Sequence, residues 1–167
     1  VREIRETEEE RTKLEWVGGA LEALHLECSM KFMNSLFKSA NAFIAKVWTY
    51  KFQLHAMDLN TVKSLKFPYT ARAAEGPDTS KCSTAQKEIV NLALALACRQ
   101  SEKLNDYPLF LDEVGKNFDP SHQQNLLDLV LFITDECLAS QLFIVNHHAV
   151  IHGGLMNTET LVLDDSN

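Results

Sequence analysis

The sequence has little of what several common architectures require. No stretch approaches the ~18 consecutive apolar residues of a membrane-spanning helix; the richest run, Ile89 to Cys98, is short and contains Asn91. Basic charge is not in excess either: 16 Lys and Arg stand against 23 Asp and Glu, a formal net charge of −7. That argues against an autonomous nucleic-acid or polybasic membrane-binding module, which needs a concentrated basic surface. No basic-then-apolar leader opens the chain, so nothing supports secretion and a cytoplasmic setting is expected. Cys28, Cys82, Cys98 and Cys137 are scattered with no CxxC pair, and read as reduced, mostly buried thiols. What is present is ordinary: 46% hydrophobic and 23% charged residues, which argues against wholesale disorder. A length of 167 residues fits one domain with at most an appendage.

The pattern along the chain predicts alternating elements. Residues 1–15 carry four basic and six acidic side chains, with only Val1, Ile4 and Leu14 as large apolar positions. Charges four apart, as at Glu9 and Lys13, support a solvated helix. So polar a helix reads as the end of a coiled coil, interrupted at Gly18-Gly19. Leu21, Leu24, Cys28, Phe32, Leu36, Ala40, Phe43 and Val47 then recur every three or four residues, giving a helix with one apolar face on a core. Trp48, Tyr50, Phe52 and Leu54 alternate, as do Phe67, Tyr69 and Ala71, which predicts two paired strands around a polar turn at Asp58–Thr61. Pro68 should push the second strand to a sheet edge. Residues 72–82 read as a loop.

The second half reads as a helix from Ser83 to about Leu104, a strand Leu109–Leu111, a helix from Pro120 to about Leu138, and a strand Leu142–Val145. A last strand is expected at Thr160–Leu163. Apolar strands separated by helices imply parallel strands buried on both faces of an α/β sheet.

Three features fall where such a sheet holds its ligands. The strand at 109–111 runs into Asp112-Glu113, and buried carboxylates are costly unless a cation or donor meets them. A magnesium–nucleotide complex would supply that cation; alternatively, Asp112 caps a turn ending at Gly115. Asn117-Phe118-Asp119-Pro120 reads locally as an N-cap followed by proline at the first helical position. The strand at 142–145 ends in Asn146-His147-His148, within reach of the same edge. His147, His148 and His152 lack the spacing of a zinc site. Upstream, Ser83-Thr84-Ala85-Gln86 is a capping box, and a helix N-terminus also favours anions.

The order of these parts is more specific than any one of them. The intervals are 26 residues from Gln86 to Asp112, 6 from Glu113 to Asp119, and 28 from Asp119 to His147. The arrangement resembles the C-terminal lobe of an ABC-type ATPase head. More narrowly, it resembles the SMC-like branch that holds SbcC-type DNA-repair ATPases and phage recombination-exonuclease subunits.

The resemblance implies an α/β fold with parallel buried strands, divided into a coiled-coil stub at 1–19 and a C-terminal ATPase lobe at 20–167. It implies ATP and Mg2+ as cofactors. Ser83, Thr84, Ala85 and Gln86 would be the signature that touches the γ-phosphate held by the opposite subunit. Asp112 would hold magnesium, Glu113 would act as general base, Asp119 would be the D-loop aspartate and His147 the switch histidine. The partners implied are an N-terminal P-loop lobe of the same protein, a second copy joined through ATP, an SbcD-type nuclease subunit, and DNA contacted mainly outside this lobe. Lys63, Lys66, Lys81, Lys87 and Arg99 are the nearest DNA-contact candidates. The setting implied is the cytoplasm of a bacterial or phage-infected cell.

The sequence departs from the pattern in four ways. Both signature glycines are replaced, placing Cβ atoms where backbone should approach phosphate. Val114 stands where proline often follows the glutamate. The zinc-hook CxxC is missing. No Gly-x-x-x-x-Gly-Lys-Ser/Thr occurs, so the phosphate cradle is missing too, and the chain is expected to be inactive by itself. Its opening at Val1, inside a charged helical pattern, fits a chain cut near such a head. A non-catalytic interaction lobe and an ABC transporter domain are the alternative readings. The retained acid pair disfavours the first; the stub and the missing P-loop disfavour the second.

Overall fold

The computed structural model describes residues 2–146 together with Leu155 and Glu159. The charged start and the apolar-periodic stretch form a single helix, α1 (Arg2–Val47), which runs unbroken through Gly18 and Gly19. A glycine in a helix interior costs only about 1 kcal/mol relative to alanine, and neither glycine has a neighbour within 4 Å of where a Cβ would stand. Ion pairs one turn apart, Arg11–Glu15 at 3.2 Å and Glu27–Lys31 at 2.7 Å, lie along the exposed part. The apolar stripe is buried only in its last third. Leu36, Phe37, Ala40, Phe43, Ile44 and Val47 are in the core, whereas Leu21, Leu24, Cys28 and Phe32 are exposed.

Beyond α1 the chain turns back along it. Two asparagines seven residues apart pin this return. Asn41 donates to the carbonyl of Leu54 (2.9 Å) and accepts from its N–H (2.8 Å), and Asn34 does the same for Met57 at 3.3 and 2.7 Å. Strand β1 (Phe52–Leu54) is followed by a short helix α2 (Leu59–Ser64) in place of the expected polar turn, because Asp58 and Thr61 close a capping box. Strands β2 (Tyr69–Ala71) and β3 (Ala74–Gly76) complete an antiparallel sheet of order β1-β2-β3. Residues 72–82 therefore contain a strand, not only a loop, and β2 is central, not at an edge. Pro68 precedes the paired residues, so its missing N–H leaves the ladder intact, and its carbonyl accepts from His55 N–H at 2.8 Å.

Helix α3 (Thr84–Ser101), strand β4 (Leu109–Asp112), helix α4 (Pro120–Asp135) and strand β5 (Leu142–Val145) follow as expected. β4 and β5 pair in parallel, with Leu109 opposite Leu142 and Asp112 opposite Val145. Helices α3 and α4 both pack on α1. One face of the parallel pair, with Leu109, Leu111, Leu142 and Ile144, packs on the core. The other is open: Phe110, Phe143 and Val145 are 67%, 46% and 55% exposed. The expectation of strands buried on both faces therefore fails. Nor are the thiols mostly buried, since Cys82 is buried but Cys28, Cys98 and Cys137 are exposed. The strand expected at Thr160–Leu163 lies outside the described residues.

Ile44 has no exposed surface and sits where α1 meets the other helices. Ile44→Ala should lower unfolding free energy by about 2–5 kcal/mol, measured by denaturant titration of the 167-residue chain. A loss similar to that of an exposed position such as Leu24→Ala would contradict this packing.

Candidate functional site

The acid pair follows from how β4 ends. Asp112 is the last strand residue, and Glu113 then turns the chain with φ +48° while its N–H still reaches the Val145 carbonyl at 2.7 Å. Gly115 makes a second left-handed turn at φ +85°, and a Cβ there would lie 2.5 Å from Leu126 Cδ2. Both the backbone angle and the packing require glycine at this position. Asn146, at the end of β5, donates to the Val114 carbonyl at 3.0 Å. The two strand ends are thus fastened side by side.

The charges at this edge are solvated within this chain. Asp112 is exposed and Glu113 half-buried, so the cost of burying carboxylates does not apply to the lobe as it stands. Lys116 Nζ lies 2.6 Å from Glu113 Oε2. That hydrogen bond and the carboxylate's charge hold the Lys116 ammonium above its ordinary pKa. An exposed bridge of this kind contributes little and can exchange.

Helix α3 begins as the sequence predicts. Ser83 Oγ accepts from Gln86 N–H at 3.3 Å, and Gln86 Oε1 accepts from Ser83 N–H at 3.0 Å. Gln86 Nε2 also donates to the Tyr50 hydroxyl at 3.2 Å. Ala85 packs against the core. Between α3 and β4 runs a groove of about 570 Å³ whose lining includes Thr84, Lys87, Glu88, Asp112, Glu113 and Lys116. The structure therefore brings Thr84 together with the acid pair. Of the lysines weighed for DNA, Lys87 lines this groove, and Lys63, Lys66 and Lys81 are exposed. Arg99 is committed elsewhere: its guanidinium donates to the carbonyls of Leu104, Tyr107 and Pro108 at 2.6, 2.6 and 3.2 Å.

Asp119 does not line the groove. It caps α4 through Oδ1, which accepts from His122 N–H at 3.0 Å and Ser121 Oγ at 2.7 Å, while Oδ2 meets His122 Nδ1 at 2.7 Å. The backbone bond from His122, then the Ser121 hydroxyl, hold its pKa down at about 2. His147 lies outside the described residues.

Two residues that sequence reasoning missed organise this region. Glu88 accepts from Gly115 N–H through Oε1 and from Asn117 Nδ2, at 3.0 Å, through Oε2, so α3 holds the turn after β4. Gln123, buried in α4, donates to the carbonyls of Gly115 and Phe118 at 3.4 and 3.2 Å. A polar residue inside an apolar helical stripe is the signal each carried, but its partner is set by tertiary contact.

Among the described residues no group of three or more His, Cys, Asp or Glu is placed to hold a metal. The donor set is one exposed carboxylate at a strand end, with a second beside it. That suits magnesium, which takes one or two protein carboxylates and completes its shell with water and phosphate oxygens. No helix among the described residues is long and apolar enough to cross a membrane.

No protein-family model and no curated protein matches the sequence. Solved structures do match in fold. An SMC ATPase studied for ATP-driven dimerisation and DNA-stimulated activation superposes with a TM-score of 0.63 at 17% identity, over 84% of this chain and 84% of that one. The Smc head domain of Pyrococcus furiosus, with an extended coiled coil and bound to the C-terminal domain of ScpA, gives 0.54 at 18% identity, over 92% of this chain and 40% of the other. The Smc head with coiled coil and joint from Pyrococcus yayanosii gives 0.54 at 19%, over 92% and 31%. The chain thus spans well under half the length of these two heads. Its fold is similar to that of these SMC head domains, with the long helix α1 in keeping with a coiled-coil stub.

The lowered pKa of Asp119 makes a pH prediction. A carboxylate held below its ordinary ~3.9 stabilises the fold fully above that value, and the contribution is lost as pH falls through about 2. Denaturant titrations of wild type and Asp119→Ala should therefore differ most above pH 4 and converge toward pH 2. A difference independent of pH would sink this assignment.

Proposed function

We propose that the chain is the C-terminal lobe of an ATP-hydrolysing SMC-like head, a half-site that works only with a P-loop lobe and a second copy. The observation that carries this reading is the pairing of fold and edge. An SMC-head fold presents Asp112-Glu113 at the carboxyl end of a parallel strand, beside the N-terminus of the helix that opens at Ser83. Residues 1–19 would be the coiled-coil stub and 20–167 the lobe.

In this reading Asp112 would hold the magnesium of an ATP complex, which when bound would supply the phosphoryl group and the charge that must be stabilised. Glu113 accepts the proton of the attacking water; the exposed Lys116 must release it to do so. Ser83, Thr84, Ala85 and Gln86 present a helix N-terminus to a nucleotide held by the opposite copy, with Asp119 beside the same interface and His147 as the switch residue. The replaced glycines weaken close backbone approach, which favours a loose trans contact.

SMC heads in the structural comparison were studied for ATP-driven dimerisation and stimulation by DNA, and these properties are proposed here by similarity. A role in repair or recombination with an SbcD-type nuclease subunit is the finer proposal. The neighbours bound to ScpA domains make a ScpA-type partner the competing one. A cytoplasmic location is part of the same proposal. The non-catalytic reading draws on one observation, that Ser83 and Gln86 already satisfy each other.

The test joins this chain to the P-loop lobe of its own full-length protein and compares wild type with Glu113→Gln. The variant should bind ATP and dimerise, while turnover falls about 10²–10⁴-fold, as expected for loss of a general base. The chain without that lobe should show no turnover. Unchanged hydrolysis in Glu113→Gln would remove Glu113 from this role, and absent hydrolysis in the joined wild type would favour the non-catalytic lobe.

A further inference from the structure

The N-termini of α3 and α4 both reach one short segment, Trp48–Thr49–Tyr50, at the root of α1. From α3, Gln86 Nε2 donates to the Tyr50 hydroxyl. From α4, Asn125 Nδ2 donates to the Val47 carbonyl at 2.8 Å, one of the orphan acceptors at the C-terminal end of α1. Between them lies His122, 4% exposed, with its ring stacked on Trp48 at 4.1 Å and 19°.

Both nitrogens of that ring are in use. Nδ1 lies 2.7 Å from Asp119 Oδ2. Nε2 lies 3.2 Å from the Thr49 backbone nitrogen and 3.0 Å from Thr49 Oγ1. A backbone N–H can only donate, so Nε2 must accept, and the single proton of the neutral ring is then on Nδ1, directed at Asp119. Helix capping needs only the bond from His122 N–H to Asp119 Oδ1. The ring adds a second hold on the same carboxylate and carries it across to α1.

We infer that His122 is a positioning residue, which orients the Asp119 carboxylate and locks the start of α4 to the root of the long helix. The inference rests on the proposed role of Asp119 at the nucleotide interface for its functional consequence, but its geometry stands apart from that role. A rearrangement of Asp119 at the dimer interface would then displace Thr49, and bending of α1 at its root would move Asp119.

Three side chains separate the two ring nitrogens. His122→Asn keeps a donor in the place of Nδ1 and gives up the link to Thr49. His122→Gln keeps a group in the place of Nε2 and gives up the hold on Asp119. His122→Phe keeps the stack on Trp48 and loses both. The first measurement is the nitrogen chemical shifts of the His122 ring in the 167-residue chain at neutral pH. A protonated Nδ1 with an unprotonated Nε2 is expected, and the opposite tautomer would overturn the inference without any reference to ATP.

The second measurement uses the full-length protein with its P-loop lobe. His122→Phe should lower kcat on the order of tenfold to a hundredfold, as misplacement of a positioned group does, with KM for ATP unchanged. His122→Asn should recover most of that loss and His122→Gln should not. In an Asp119→Ala background, His122→Phe should cost less than a further twofold, because residues acting through one another are non-additive. Multiplicative losses, or equal effects of Asn and Gln, would mean that the ring is only packing. If His122→Phe does not fold, the Asn and Gln pair with the ring shifts decides the matter. If wild type shows the expected tautomer but no hydrolysis, the proposed ATPase function fails while the His122 link stands.

Discussion

Everything at the candidate site is held in place by the burial of one short face of α1. Phe37, Ala40, Ile44 and Val47 are within 2% of full burial, and α3 and α4 both pack against that helix. The starts of those helices, at Ser83 and Asp119, are therefore fixed relative to the end of α1. The two asparagines at 34 and 41 extend the same constraint by bonding the returning chain at Leu54 and Met57 to the flank of α1. A helix whose upper part is exposed thus acts as a frame chiefly through its C-terminal third.

The edge itself depends on backbone geometry more than on side-chain charge. Two left-handed residues within three positions, Glu113 and Gly115, fold the chain sharply after β4. Glu88 from α3 and Gln123 from α4 both hold that fold through hydrogen bonds. The carboxylates can be exposed because the main chain, not ion pairing, sets where they stand. This also explains why a feature resembling a costly buried pair is inexpensive here: Asp112 is exposed and Glu113 only half-buried.

The parts legible in the sequence were those written locally. Ser83 with Gln86 and Asp119 with Pro120 marked both helix starts because capping depends on residues three apart or fewer. The strands at 109–111 and 142–145 showed in their apolar runs, and their parallel pairing followed from the helix between them. The unbroken passage through Gly18-Gly19 was not legible, because a glycine pair lowers helix stability without forbidding the helix. The strand at 74–76 was hidden by its Ala-Glu-Gly composition; its pairing to β2 supplies what propensity does not. His122, Glu88 and the paired asparagines were unreadable for a common reason. Each is polar within a helix, and its meaning lies in a partner between 13 and 73 residues away.

The open face of the parallel pair has a consequence for the acid pair. Successive side chains of a strand alternate between faces, so Asp112 stands on the side of Phe110, not that of the buried Leu111. Phe110 and Phe143 stack there with centroids 4.7 Å apart and planes 8° from parallel, still exposed. A two-stranded sheet rarely stands unaided, and an exposed apolar patch of this kind marks a surface that is covered. Any element packed over Phe110, Phe143 and Val145 approaches Asp112 along the same face and removes water from it. Covering this patch would therefore convert Asp112 from a cheap, solvated carboxylate into one that needs a cation, since desolvation penalises an unpaired charge.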